Sequence, residues 1–102
     1  MTVLEYFERR KDMKTEEKLN PFCNVNYDNM ILPSITIYNS PADYKGMYVA
    51  RLFETAIPVP LGTFATSDDI KDLRNMIQAA GFYFRVPRDI HDHPVVVETW
   101  FR

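Results

Sequence analysis

One stretch, TSDDIKDLRNMIQAAG at residues 66 to 81, limits what this chain can fold into more than any other. Ile70, Leu73, Ile77 and Ala80 recur at helical spacing and make a single apolar face. Thr66 or Ser67 supplies an N-cap, and Asp68 and Asp69 lie where the helix dipole favours negative charge. Gly81 can take the left-handed conformation that closes a helix. A helix apolar on one side only has to lie against another layer.

That layer is written on either side of it with a period of two. SITIY alternates Ile35 and Ile37 with Thr36 and Tyr38. MYVARLFE places Tyr48, Ala50 and Leu52 on one face and Met47, Val49, Arg51 and Phe53 on the other. LGTFAT, FYFRV and PVVVETWF read as three further strands. NSPADYKG and PRDIHDH carry turn residues, and the prolines of AIPVPLG suit an open loop or a sheet edge. Arg51, set among apolar neighbours, calls for pairing with a carboxylate such as Glu98.

Ahead of these, Val3, Phe7 and Met13, with Tyr6 nearby, mark a short helix that Asn20-Pro21 would stop. Residues 20 to 33 read as a loop or arm. The expectation is therefore an α+β fold: one mainly antiparallel sheet of four to five strands, a well-capped helix packed on one face, and an N-terminal helix. The division expected is an N-terminal helix and extended arm over 1–32 and an α+β core over 33–102.

A chain of 102 residues has room for one domain, and 46% hydrophobic with 25% charged residues is an ordinary globular composition. A net charge of -2 and a pI near 5.6 give no global attraction to nucleic acid, so direct nucleic-acid binding is not expected. One cysteine excludes an internal disulfide and suits a reducing compartment. Charges interrupt the N-terminus where a signal peptide is apolar, and no apolar run approaches the ~20 residues that span a bilayer. A cytoplasmic protein without membrane attachment is expected.

Few residues suggest chemistry. His91-Asp92-His93 could offer two metal ligands from one strand face, yet zinc needs a third, and the simpler reading is a polar hairpin loop. Cys23, beside Phe22, reads as a small buried hydrophobe rather than a nucleophile. Asp68 and Asp69 have a sufficient role in the first turn of the helix. Arg9, Arg10, Lys11 and Lys14 could touch phosphates, but Glu5, Glu8, Asp12, Glu16 and Glu17 offset them, which reads as a solvated helix face. No glycine-rich phosphate loop is written, and no cofactor is expected. The aromatics say more: six tyrosines, seven phenylalanines and a tryptophan are a large load for one small core. Tyr27, Tyr38, Tyr44 and Tyr83 are expected to face outward, and Tyr38, Tyr44, Tyr48 and Tyr83 suit a protein interface, with Asp43, Asp68 and Asp69 as polar contacts. Covering the second sheet face or a homodimer contact is the alternative use for them.

DYKGMYVARLF, TSDDIKDLRNMI and VPRDIHDHPVVVETWF together resemble small uncharacterised domains found on mobile elements and phages of Firmicutes. The likeness covers roughly residues 30 to 102, departs at Lys45, where proline is expected, and at the His91-Asp92-His93 loop, and carries no catalytic residues. Together with small size, acidity, surplus tyrosine and missing catalytic constellations, it leads to the expectation of a non-enzymatic interaction module with a protein or nucleoprotein partner, a phage or mobile-element inhibitor of a host nucleoprotein of the anti-CRISPR kind. A small metal-dependent hydrolase or nuclease using His91, Asp92 and His93 is the first alternative. A nucleic-acid-processing accessory protein gripping phosphate through Arg9, Arg10, Lys11 and Lys14 is the second.

Overall fold

The computed structural model describes residues 20–57 and 59–102. The N-terminal helix expected over the first eighteen residues lies outside them. Five strands follow the alternating runs: β1 (Pro33–Asn39), β2 (Tyr48–Glu54), β3 (Val59–Ser67), β4 (Phe84–Pro87) and β5 (Val96–Phe101). The helix α1 (Ile70–Ala79) stands between β3 and β4. The sheet order is β3-β2-β1-β5-β4, and every neighbouring pair is antiparallel. A meander builds β1, β2 and β3 outward from the centre. α1 then carries the chain to the opposite edge, and the hairpin of β4 and β5 returns it beside β1. This is the expected α+β sheet, with α1, the one α-helix among the described residues, laid across one face.

Strand alternation decides what the helix covers. Ile35 is in register with Leu52 and Trp100, and Ile37 with Ala50 and Glu98, so all six share one face. Leu73 and Ile77 of α1 descend on that face and are fully buried, with Ile70 and Ala80 packed beside them. Each such side chain contributes about 1.5–3 kcal/mol through its burial.

The C-terminal end of the helix closes as the sequence reading expects, and the N-terminal end differs in detail. The N-cap is Asp69, whose side chain accepts from the Lys71 amide at 2.9 Å, and not Thr66 or Ser67. Those two residues are held in the β3 ladder opposite Val49 and Tyr48. Ser67 still serves the cap, accepting from the Asp69 amide at 3.0 Å and donating to Asp72 at 2.9 Å. Gly81 closes the helix at φ +93°, where a side chain would be strained and would also press on Arg102.

Residues 20 to 30 are not an extended arm. They form two single 3₁₀ turns, Pro21–Asn24 and Tyr27–Asn29, and they belong to the core. The Asn20 side chain accepts from the Phe22 amide at 3.1 Å and donates to the Met76 carbonyl of α1 at 2.9 Å. Phe22 is fully buried, and Tyr27, expected to face outward, instead turns into the core, meeting Phe82 edge to face at 5.2 Å while donating to the Phe22 carbonyl at 2.7 Å. Without these two rings the end of the helix layer would be open, so the core begins well before residue 33. Cys23 corrects another expectation. It is exposed, because within so short a turn Phe22 takes the inward position.

Candidate functional site

The same alternation that fills one face of the sheet empties the other. Opposite the helix, Phe53, Ser34, Phe101 and Phe84 form one cross-strand row, and Phe64, Arg51, Thr36, Thr99 and Val86 form the next. Among the described residues no secondary-structure element lies across these rows. A groove of about 350 Å³ runs over them. Ser34, Thr36 and Thr99 lie along it, with Phe53, Phe101 and Val86 beside them and Asp89 and Asp92 from the β4–β5 loop at its rim. The hydroxyls are turned on one another: Thr36 meets Thr99 at 3.3 Å, and Ser34 meets Thr55. Paired in this way, they ask less of water than free hydroxyls would. The result is a half-apolar surface with exposed aromatic rings, Phe84 at 70% and Phe64 at 39%.

The turn between β1 and β2 folds over one corner of this face and brings sequence-singled residues together. Tyr44 lies 5.8 Å from Phe64, ring to ring, and Arg51 sits 5.3 Å over the same ring. Asp43 pairs with Arg51. Tyr38 is on this side, and partial burial pushes its phenol above the usual range against the pull of Arg51. The turn itself is held by Ser40, at φ 52°, whose hydroxyl accepts from the Gly46 amide at 2.8 Å. Val49 is fully buried beneath this corner, and Ser34 is closed as well.

The expected pairing of Arg51 with Glu98 is overturned by register. Arg51 is opposite Thr36 and Glu98 opposite Ile37, so the two side chains stand on different faces. The other residues singled out do not join the corner. Tyr48 is half-buried against the core on the helix side. Asp69 caps α1 and Asp68 precedes it, both exposed. Tyr83 is 75% exposed beside the buried Phe82.

Sequence reasoning missed the most strongly organised polar cluster. Glu98 is 1% exposed and accepts four hydrogen bonds. Arg74 of α1 gives two, at 3.0 and 2.7 Å; Arg85 of β4 gives one at 3.3 Å; the Trp100 indole gives one at 2.7 Å. Burial is the largest influence on the carboxyl and pushes its pKa up. The bonds from Arg74 and Trp100, with the charges of Arg74 and Arg85, outweigh it and hold the pKa below the ordinary value. The signal was present: in VVETWF a glutamate falls at an inward position two before the tryptophan. Its partners come from elements 24 and 13 residues away and cannot be read from spacing.

The His91-Asp92-His93 segment is the exposed β4–β5 connection, as the hairpin reading expects. Its polar groups serve the backbone: Asp92 accepts from the Asp89 amide at 2.8 Å and His93 Nδ1 from the Val95 amide at 3.3 Å. Among the described residues no group of three or more His, Cys, Asp or Glu is arranged to hold a metal ion. Arg9, Arg10, Lys11 and Lys14 lie outside the described residues. No helix among them is long and apolar enough to cross a membrane. Comparison of the chain with known protein families, with curated proteins and with solved structures finds no match.

Proposed function

We propose that this protein is a non-catalytic protein-binding module whose recognition surface is the helix-free face of the sheet. The observation that carries the reading is the cross-strand row of half-buried Phe53, buried Ser34, half-buried Phe101 and exposed Phe84, which no described element covers, beside an aromatic corner of Tyr38, Tyr44 and Phe64. Large rigid rings with few rotors give contact area at low entropic cost, and a groove beside them accepts an anchoring side chain. Asp43, Asp89 and Asp92 at the margins favour a partner with basic residues around an apolar centre.

The finer assignment we put forward is an inhibitor of a host nucleoprotein, carried by a phage or mobile element and acting in the cytoplasm. Small size, an acidic balance and the likeness to mobile-element domains support it. A photo-crosslinking amino acid placed at Phe53, with the outward-facing Lys71 of α1 as control, tests the surface. The expected result in a bacterial lysate is one nuclease-resistant partner captured from Phe53, not from Lys71, and lost when Phe101→Lys is added. Equal capture from both positions would sink the surface, and capture abolished by nuclease would move the reading to nucleic acid.

A further inference from the structure

The two edges of the sheet are unequally protected. At the two ends of the β1–β2 ladder are the bonds from Thr55 N to Leu32 O, 2.9 Å, and from Ser40 N to Met47 O, 2.7 Å. With the register between those strands, they assign the backbone groups of Val49, Arg51 and Phe53 to β1. Tyr48 and Ala50 therefore bond to Ser67 and Ala65 of β3, and the N–H and C=O of Phe64 and Thr66 point away from the sheet. The bond from Arg88 N to Val97 O, 3.2 Å, does the same for the other edge. There Arg85 and Pro87 face outward, and proline has no N–H to offer. β4 thus shows a charged side chain and a single outward donor.

β3 has no such protection in its second half. Residues 61 to 67, LGTFATS, contain no charge and no proline, and among the described residues β3 has a neighbour on one side only. An uncharged strand edge with free donors and acceptors is a template for another strand.

We infer that the β3 edge binds the β3 edge of a second copy of this chain, antiparallel, about a two-fold axis at Ala65. In that register Phe64 meets Thr66 of the second copy, and Thr66 meets Phe64. Both are outward-bonding residues, so each pair exchanges two main-chain bonds and four form in all. Ala65 faces its own counterpart at the axis, where small side chains let the strands close. No like charges fall opposite one another: Asp68, the nearest, stands across from Gly62. The two open faces join into one ten-stranded surface with the Tyr44, Arg51 and Phe64 corners side by side at its centre. A symmetric edge of this kind satisfies itself without a foreign sequence. The inference does not depend on what the open face binds.

Sedimentation velocity of the full chain tests it, from about 10 µM to about 1 mM, the range in which an association through a few main-chain bonds registers. A concentration-dependent dimer is expected. Thr66→Pro removes only an outward donor, so it should leave the circular dichroism unchanged and weaken the dimer about tenfold or more. Charge pairs check the register even if that variant misfolds. Phe64→Lys with Thr66→Lys sets like charges opposite and should give monomer, whereas Phe64→Lys with Thr66→Glu sets opposite charges and should restore the dimer. A wild-type monomer throughout the range overturns the proposal, as does a dimer equally strong in both charge pairs.

Discussion

The two faces of the sheet come from the same five strands and the same alternation, yet they are built on different physics. On the helix side, Ile35, Ile37, Leu52 and Trp100 meet Leu73, Ile77, Phe82 and Phe22 with almost no exposure. The carboxylate buried on this side, Glu98, is satisfied by four hydrogen bonds, three of them from Arg74 and Arg85. On the other side, rings remain in water, hydroxyls pair with one another, and the Arg51 and Asp43 ion pair is partly solvated. Stability is concentrated on the first face. The second holds surface that folding does not use, which is the condition for binding something else.

The sharpest way to break that contrast is to truncate one ring on each side. Phe82→Ala should lower the unfolding free energy by about 3–5 kcal/mol, while Phe84→Ala, at 70% exposure, should change it by less than about 0.5 kcal/mol. Urea denaturation measures both, and similar losses would show that the open face is part of the core.

The buried carboxylate comes next. Glu98→Ala leaves the buried Trp100 indole N–H without its acceptor and two guanidinium groups without their anion. A loss of about 2–4 kcal/mol at neutral pH is expected, moderated because Arg74 and Arg85 can turn to water. Since the folded pKa of Glu98 lies below its ordinary value of 4.5, its pH-dependent contribution is present above that value. It fades as pH falls through the folded pKa. The gap between wild type and variant in thermal melts should therefore narrow in acid, and a gap that widens there would contradict the assignment.

The smallest effect distinguishes two tyrosines. Tyr27, on the core side, has its pKa pushed up to about 12, chiefly by burial, with Arg102 opposing and Cys23 adding. The phenol must stay protonated in the fold, so its contribution is complete below pH 10 and is lost as pH rises towards about 12. Tyr27→Phe should cost about 1 kcal/mol at neutral pH, for the bond to the Phe22 carbonyl, and should reduce the alkaline fall in stability. Tyr38→Phe has no such bond to lose and should change neutral-pH stability less.

Much of the architecture was legible because it rests on local periodicity. The helix face of Ile70, Leu73, Ile77 and Ala80, its closure at Gly81, and the strands around Ile35, Ala50 and Trp100 all follow from spacing and turn chemistry. Legibility failed wherever a residue's role depends on a distant one. Asn20 reaches Met76 across 56 residues, and this contact turns an apparent arm into core. Arg51 and Glu98 both seek opposite charge, but register places them on different faces, so each finds another partner. At the open face the sequence supplied the tyrosines and Asp43. It did not supply Phe53, Phe84 and Phe101, whose alignment depends on strand order and not on sequence distance.

By itself, then, the sequence determined which segments are strands and which is the helix, since those depend on interactions within a few residues. It also determined that rings would outnumber core positions. Only the tertiary structure decided that β5 lies beside β1, which face α1 covers and which edge lacks a charge or proline to guard it. Those are outcomes of pairing between strands remote in the chain, where every backbone group must find a partner and only one arrangement satisfies nearly all of them.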